Sequence, residues 1–239
     1  MTGGVELSVV VPAYNEEARL TPTLRRIVDY LDRRGARYEV LVVDDGSTDR
    51  TVAVARELAA GHPAIEVLEL GMNRGKGAAV RQGMLSAIGR LVLFSDADLA
   101  TPIEELERLR AEIDAGHDIA IASRAMAQSD IRARQHPLRE LMGRGFNVLV
   151  RAIALGGFRD TQCGFKLFTR EAAHDLFARA TVEGFAFDVE VLLLARDRYR
   201  IAEVPVTWSH VEESKLSPGS DAARMFWDLV RIRTRLGRG

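Results

Sequence analysis

Two aspartates one residue apart, Asp96 and Asp98, follow an apolar run that ends at Ser95. Hard divalent cations such as Mg²⁺ take one or two carboxylates and complete their shell with phosphate oxygens and water, and this Asp-x-Asp at a strand end suits such a cation. Two more polar clusters follow apolar runs, Pro12-Ala13-Tyr14-Asn15-Glu16-Glu17 and Asp44-Asp45-Gly46-Ser47. If the three runs are neighbouring strands, several carboxylates and a tyrosine converge on one crevice. Such crowding is costly without a cation or hydrogen-bond donors. The plainer alternative for the aspartates is a capping turn before Pro102, with Thr101 as a second cap. Lysine occurs three times, at Lys76, Lys166 and Lys215; every other Lys/Arg cation is arginine. Either the three mark places where a compact point charge serves better than a planar fork, or codon usage alone explains them.

Composition and missing motifs narrow the chemistry. With 33 basic against 34 acidic side chains the net charge is −1, which speaks against a nucleic-acid binder. A single cysteine, Cys163, excludes an intramolecular disulfide framework and a multi-cysteine zinc site. No apolar run approaches the roughly 18 residues of a membrane span, and Met1–Val5 is too short and polar for a signal peptide, which predicts a soluble, cytoplasmic protein. Gly71-Met72-Asn73-Arg74-Gly75-Lys76-Gly77 has P-loop-like residues without the P-loop spacing or the Ser/Thr after its lysine. No Gly-x-Gly-x-x-Gly follows the first strand, and neither Gly-x-Ser-x-Gly nor His-Glu-x-x-His occurs.

The elements that must carry these residues alternate in type. Strands are expected at 7–12, 38–43, 65–70, 91–95 and 118–122, with helices from Asn15 to Gly35, to about Ala60, at 75–88 and at 102–115. Continuous apolar strands alternating with helices predict βαβ crossovers and a mainly parallel sheet, which binds ligands beyond the carboxyl ends of its strands. The second half reads as a helical pattern at 138–155, a short strand at 164–168, a helix at 187–198, an edge strand at 201–206 marked by Pro205, and an amphipathic helix at 221–236. No linker or repeat interrupts it, so one domain spans 1–239, with a regular first half (1–123), a less regular second half (124–220) and the amphipathic end (221–239).

PAYNEE at 12–17, VVDDGSTD at 42–49, NRGKG at 73–77 and DAD at 96–98 resemble inverting glycosyltransferases of family 2, with the GT-A fold. DTQCGFKLF at 160–168, FDVE at 187–190, Trp208 and SKL at 214–216 are similar to the dolichyl-phosphate β-glucosyltransferase branch. The resemblance implies an α/β nucleotide-binding sheet sandwiched by helices with a mixed α/β acceptor side. It implies that Pro12, Ala13, Tyr14, Glu16, Val42 and Asp44 hold the nucleoside and that Asp96 and Ala97 line the nucleotide. Asp98 with Asp96 would hold Mg²⁺ or Mn²⁺, Lys76 would lie near the nucleotide, and Lys215 near the diphosphate on a closing loop. The Q-x-x-R-W motif of processive members is absent, which disfavours polymer synthesis.

The acceptor is expected to be a polyprenyl phosphate. Between Ile131 and Arg159 six arginines face one glutamate, and from Asp221 onward five arginines face two aspartates on a helix with Met225, Phe226, Leu229, Ile232 and Leu236. Basic amphipathic helices suit anionic lipid, so a peripheral seat on the inner face of a membrane is expected; core packing with a solvated basic face is the alternative. A phosphate monoester is largely ionised at neutral pH and needs cations more than a base. Arg124 and Lys166 are the candidate grips. A hydroxyl acceptor would need a base, with Asp188 or Glu190 as candidates. The expected reaction moves glucose from UDP-glucose with inversion. GDP-mannose as donor and a soluble hydroxyl acceptor are the alternatives; a sugar-nucleotide pyrophosphorylase lacks its N-terminal Gly-rich loop here, and an inert sensor would have no need to keep both aspartates and the three lysines.

Overall fold

The computed structural model describes residues 4–133, 157–209 and 220–236. The strands are β1 (Leu7–Ala13), β2 (Tyr38–Asp44), β3 (Ile65–Glu69), β4 (Leu91–Ser95), β5 (Ile119–Ser123), β6 (Asp130–Ala133), β7 (Phe165–Thr169), β8 (Ile201–Pro205) and β9 (Thr207–Ser209). Seven form one sheet in the order β3-β2-β1-β4-β7-β5-β8, while β6 and β9 pair in parallel beside it. Among the described residues only β7 runs antiparallel within the large sheet, against both β4 and β5. The chain builds outward from β1 through β2 to β3, then returns to place β4 on the other flank of β1. That reversal is the switch point at which open α/β sheets form their ligand crevice.

The helices are α1 (Leu20–Arg33), α2 (Thr51–Gly61), α3 (Lys76–Ser86), α4 (Leu106–Asp114, after a 3₁₀ turn at Ile103–Glu105), α5 (Arg170–Arg179), α6 (Phe187–Ala195) and α7 (Ser220–Leu236). Strand alternation divides the core between the two faces of the sheet. Val9, Val11, Val40 and Val42 pack with Leu24 and Ile27 of α1 and Leu109 of α4. Val10, Leu41, Val43 and Phe94 pack with Val80 of α3, Phe177 of α5, Phe187 of α6 and Leu229 of α7. Burial of both faces is why the strands read as unbroken apolar runs.

Three expectations shift. Asn15 does not cap α1, which starts at Leu20 without a side-chain cap. Its φ of 55° puts it in a left-handed turn, and Oδ1 accepts from the Thr48 (2.8 Å) and Asp49 (3.4 Å) amides instead. Helix α5 was not anticipated, although Thr169 caps it by accepting from the Ala172 amide. Nor was the β6–β9 pair, whose strands are only three or four residues long. The helical pattern at 138–155 and Lys215 lie outside the described residues.

Candidate active site

The carboxyl ends of β1, β2 and β4 carry the three polar clusters to one edge of the sheet. The first two loops are sewn together by side-chain to backbone hydrogen bonds. The Asn15 amide donates to Ser47 Oγ at 2.8 Å and the Glu16 amide to Thr51 Oγ1 at 2.7 Å, while Glu17 accepts from the Arg50 amide at 2.9 Å. Pro12, Ala13 and Val42 are buried beneath these loops, and Tyr14 and Glu16 are half-buried at their surface. Glu16 holds Arg19 through Nε at 2.8 Å.

Two neighbouring aspartates do different work here. Asp44 Oδ2 accepts from the Gly46 and Ser47 amides, each at 3.0 Å, whereas its Oδ1 is buried with no hydrogen-bond partner among the described residues. A buried carboxylate oxygen without a donor is costly unless a ligand supplies one. Asp45 has both oxygens engaged, accepting from the Arg74 and Gly75 amides at 2.8 Å each, so it shapes the loop that presents Lys76. Burial nonetheless pushes the Asp45 carboxyl above the ordinary range. Gly46 (φ 72°) is required by space as well as conformation, since a Cβ there would fall 2.4 Å from the Met72 carbonyl carbon.

The third cluster turns sharply after β4. Leu99 adopts φ 46°, rare for a branched residue, and the turn is pinned around it. The Leu99 amide donates to the Asp96 carbonyl at 3.2 Å, Thr23 Oγ1 to the Ala97 carbonyl at 2.6 Å, and the Ala100 amide to Asp98 Oδ1 at 3.0 Å. Burial and the neighbouring Asp96 charge raise the Asp98 carboxyl. Lys76, the first residue of α3, places Nζ 2.6 Å from Asp96 Oδ1. Burial pulls this ammonium down, but Asp96, Asp188 and Asp98 together lift it above the usual lysine value. Asp96 also rests on β7's approach, its amide donating to the Gly164 carbonyl at 3.0 Å.

Across the antiparallel strand the charges are deeper. Lys166 lies opposite Phe94 in the β4–β7 register and is 2% exposed. Its Nζ reaches Asp188 Oδ1 at 2.5 Å and the Cys163 carbonyl at 2.6 Å. Burial raises the Asp188 carboxyl, and Lys166 and Lys76 oppose that rise. The expectation that Lys166 grips an acceptor therefore meets a buried, already neutralised ion pair. Arg124, just past β5, is held by Asp160 through Nε (2.6 Å) and Nη2 (2.9 Å) and lies over the Trp208 ring. Its Nη1 has no hydrogen-bond partner among the described residues, and the side chain remains 29% exposed. Asp160 itself is buried and held below the ordinary range, because Arg124 outweighs the opposing burial. Glu190, the second base candidate, has its oxygens taken by Thr181, Val182 and Arg235. Asp45, Asp160 and Gly164 escaped the sequence-based site. The signal for Asp160 was its place in a polar run leading into a buried strand.

The donor set fits a divalent cation of the kind that phosphates help to bind. Asp96 and Asp98 are hard oxygen donors whose mutual repulsion a cation relieves, and no cluster of three metal-binding side chains exists among the described residues to cage one unaided. The family model "Glycosyl transferase family 2" matches residues 8–177. The sequence is 45% identical to the dolichyl-phosphate β-glucosyltransferase of Drosophila melanogaster over 97% of this chain and 75% of that protein. Identity with the human protein of the same name is 43%, over 96% of this chain and 75% of that protein. The fold matches glucosyl-3-phosphoglycerate synthase from Mycobacterium tuberculosis in complex with Mn²⁺, UDP-glucose and phosphoglyceric acid, with a TM-score of 0.71 and 22% identity over 98% of this chain and 80% of that chain.

Proposed function

The chain belongs to glycosyltransferase family 2 and has its GT-A fold, and we propose that it transfers glucose from UDP-glucose to a polyprenyl phosphate of the dolichyl type. The observation that carries the reading is similarity, over 95% or more of the chain, to proteins named dolichyl-phosphate β-glucosyltransferase. The geometry supports it. Asp44 Oδ1, buried and unpartnered, suits an N–H or O–H of the nucleoside, with Pro12, Ala13, Tyr14, Glu16 and Val42 lining the same loops and Ala97 below. Asp96 and Asp98 would hold Mg²⁺ or Mn²⁺, which when bound supplies positive charge to the diphosphate oxygens. Lys76 adds a second cation where negative charge grows as the glycosidic bond breaks.

On the other side, Arg124 offers its unengaged Nη1 to the acceptor phosphate while Asp160 fixes the guanidinium plane. Lys166 acts from within, holding Asp188 in place behind the reacting groups. An ionised phosphate oxygen can attack the anomeric carbon without a base, and one displacement inverts the configuration. Residues 1–123 are then the nucleotide-sugar half and 124–220 the acceptor half. Lys215 keeps its proposed place near the diphosphate by resemblance alone.

Lipid access is proposed through α7. Among the described residues no helix is long and apolar enough to cross a membrane. Helix α7 instead buries Leu229 and Ile232 and exposes Phe226 (42%) and Trp227 (61%) among Arg224, Arg231 and Arg233. Exposed aromatics flanked by arginines complement an anionic bilayer surface.

The experiment is a panel of labelled UDP-glucose, GDP-mannose and related donors with a short polyprenyl phosphate, reading product in the organic phase. Transfer from UDP-glucose alone is expected. Preference for GDP-mannose, or product only with a soluble alcohol, overturns the reading. In the same assay Asp188→Asn should be milder than Arg124→Ala, and the opposite ranking would point to a hydroxyl acceptor with Asp188 as its base.

A further inference from the structure

Glu190 sits in the apolar helix α6 with no exposure to solvent, yet it is a carboxylate. Groups of that kind persist inside proteins only when every oxygen is engaged. Here Oε2 accepts from the Thr181 amide (2.9 Å) and the Val182 amide (2.8 Å), and Oε1 from Thr181 Oγ1 (3.0 Å). Arg235 of α7 donates to Glu190 Oε1 and to Thr181 Oγ1 as well. Asp228 of α7 lies against the other end of the same segment, its Oδ2 3.3 Å from where a Cβ on Gly184 would stand.

The opposite side of this 181–184 strap carries the lysine loop. The Glu183 carbonyl accepts from the Ala78 amide at 3.2 Å, and the Glu183 carboxylate pairs with Arg74. A Cβ on Gly75 would fall 2.5 Å from the Glu183 carbonyl oxygen, and one on Gly77 2.4 Å from the Val182 carbonyl oxygen. The residues on both sides of Lys76 therefore rest on the strap at backbone contact.

We infer that Glu190 is a positioning residue for Lys76: it fixes the strap from within, Arg235 fixes it from α7, and the strap sets where the Lys76 ammonium stands beside Asp96. The inference rests on Lys76 as the lysine that meets the nucleotide. Both Glu190 oxygens are engaged by Thr181, Val182 and Arg235, so its effect on binding is transmitted through the strap to the lysine loop.

A double-mutant cycle on the full chain tests this, with UDP and Mn²⁺ as the probe in calorimetry. Arg235→Ala, Glu190→Gln and Glu190→Ala are each made alone and with Lys76→Ala, with melting temperature followed alongside. Lys76→Ala alone should weaken UDP by about tenfold or more. Arg235→Ala and Glu190→Ala should each weaken it by about three- to tenfold when Lys76 is present and by less than about twofold with Lys76→Ala, Glu190→Gln being intermediate. Equal losses in both backgrounds, or unchanged affinity in Arg235→Ala and Glu190→Gln, would overturn the inference and leave Glu190 a purely structural group. If Glu190→Ala does not fold, Arg235→Ala at the exposed helix end and Glu190→Gln complete the cycle. Unchanged UDP affinity in Lys76→Ala alone would remove the nucleotide role of the lysine itself, and that failure is read from a separate variant.

Discussion

The two sides of the crevice manage charge in opposite ways. On the β1–β2–β4 side, Asp44 and Asp45 are held by backbone amides, and Asp98 accepts one from Ala100. Amides orient a carboxylate without cancelling its charge, so this side keeps a negative field with one lysine in it. On the β5–β7 side each buried charge has an opposite partner, Lys166 with Asp188 and Arg124 with Asp160. The first arrangement fits the proposed cation and nucleotide donors. The second is complete in itself and presents only the free edge of one guanidinium. Changes on the first side should therefore remove function and leave the fold, whereas changes on the second should unsettle the fold as well.

The largest effect is expected on the acidic side. Asp98→Ala should lower kcat/KM by about a thousandfold or more with the melting temperature kept or raised, since it removes a half-buried, crowded carboxylate. EDTA should do the same to the wild-type protein, and full turnover in EDTA would break the assignment of Asp96 and Asp98 as metal ligands.

Next comes the paired side. Asp160→Asn leaves the buried part of Arg124 uncompensated and should cost about 3–5 kcal/mol in denaturant unfolding. Its pH dependence has a definite sign. Arg124 and Lys166 hold the Asp160 carboxyl low in the folded protein against burial, so the unfolded chain takes up the proton first. The contribution is complete above the unfolded value of about 3.9 and is lost as pH falls through the lower folded value. Unfolding midpoints should accordingly fall less for Asp160→Asn than for wild type between about pH 5 and pH 3. Parallel curves would mean that the pair adds nothing.

Gly164→Ala examines the seam between the two sides. A Cβ there would stand 1.9 Å from Asp96 Oδ2, so the carboxylate must swing away while the strand stays. UDP affinity should drop by about tenfold with a melting temperature within a few degrees of wild type. A large stability loss instead would show that the strand, not the side chain, gives way.

How much of this was readable beforehand follows the same division. The strand-end acids were legible because each follows an unbroken apolar run, and a doubly covered parallel sheet makes such runs visible. Lys166 and Glu190 were misjudged because a buried charge betrays itself only through its partner. Lys166 and Asp188 are 22 residues apart, and Glu190 and Arg235 are 45 apart. A cue existed, since both sit where the neighbours on their own element are core residues, and a charge in that place must be paired. Helix α5 was missed because alanines at 172 and 173 supply half of its buried face and carry little hydrophobic signal. Asn15 was assigned as a cap on residue type alone, and only the left-handed backbone shows that its amide serves the neighbouring loop.

The smallest expected effect on stability belongs to α7's outer face, and it separates that face from the inner one. Phe226 and Trp227 stack edge to face with centroids 5.9 Å apart, and both remain exposed, so replacing them with serine removes little buried area. Phe226→Ser with Trp227→Ser should shift unfolding by less than about 1 kcal/mol. If the face meets lipid, the same change should cut flotation on anionic vesicles severalfold and raise KM for a long-chain polyprenyl phosphate, leaving a short water-soluble acceptor unaffected. Leu229 and Ile232 on the inner face offer the contrast, because they are buried against the core and their truncation to alanine should lower stability by about 2–5 kcal/mol whatever the acceptor. Vesicle flotation unchanged by the aromatic pair would make α7 a packing helix only, and the acceptor's chain would then have to be met by another surface.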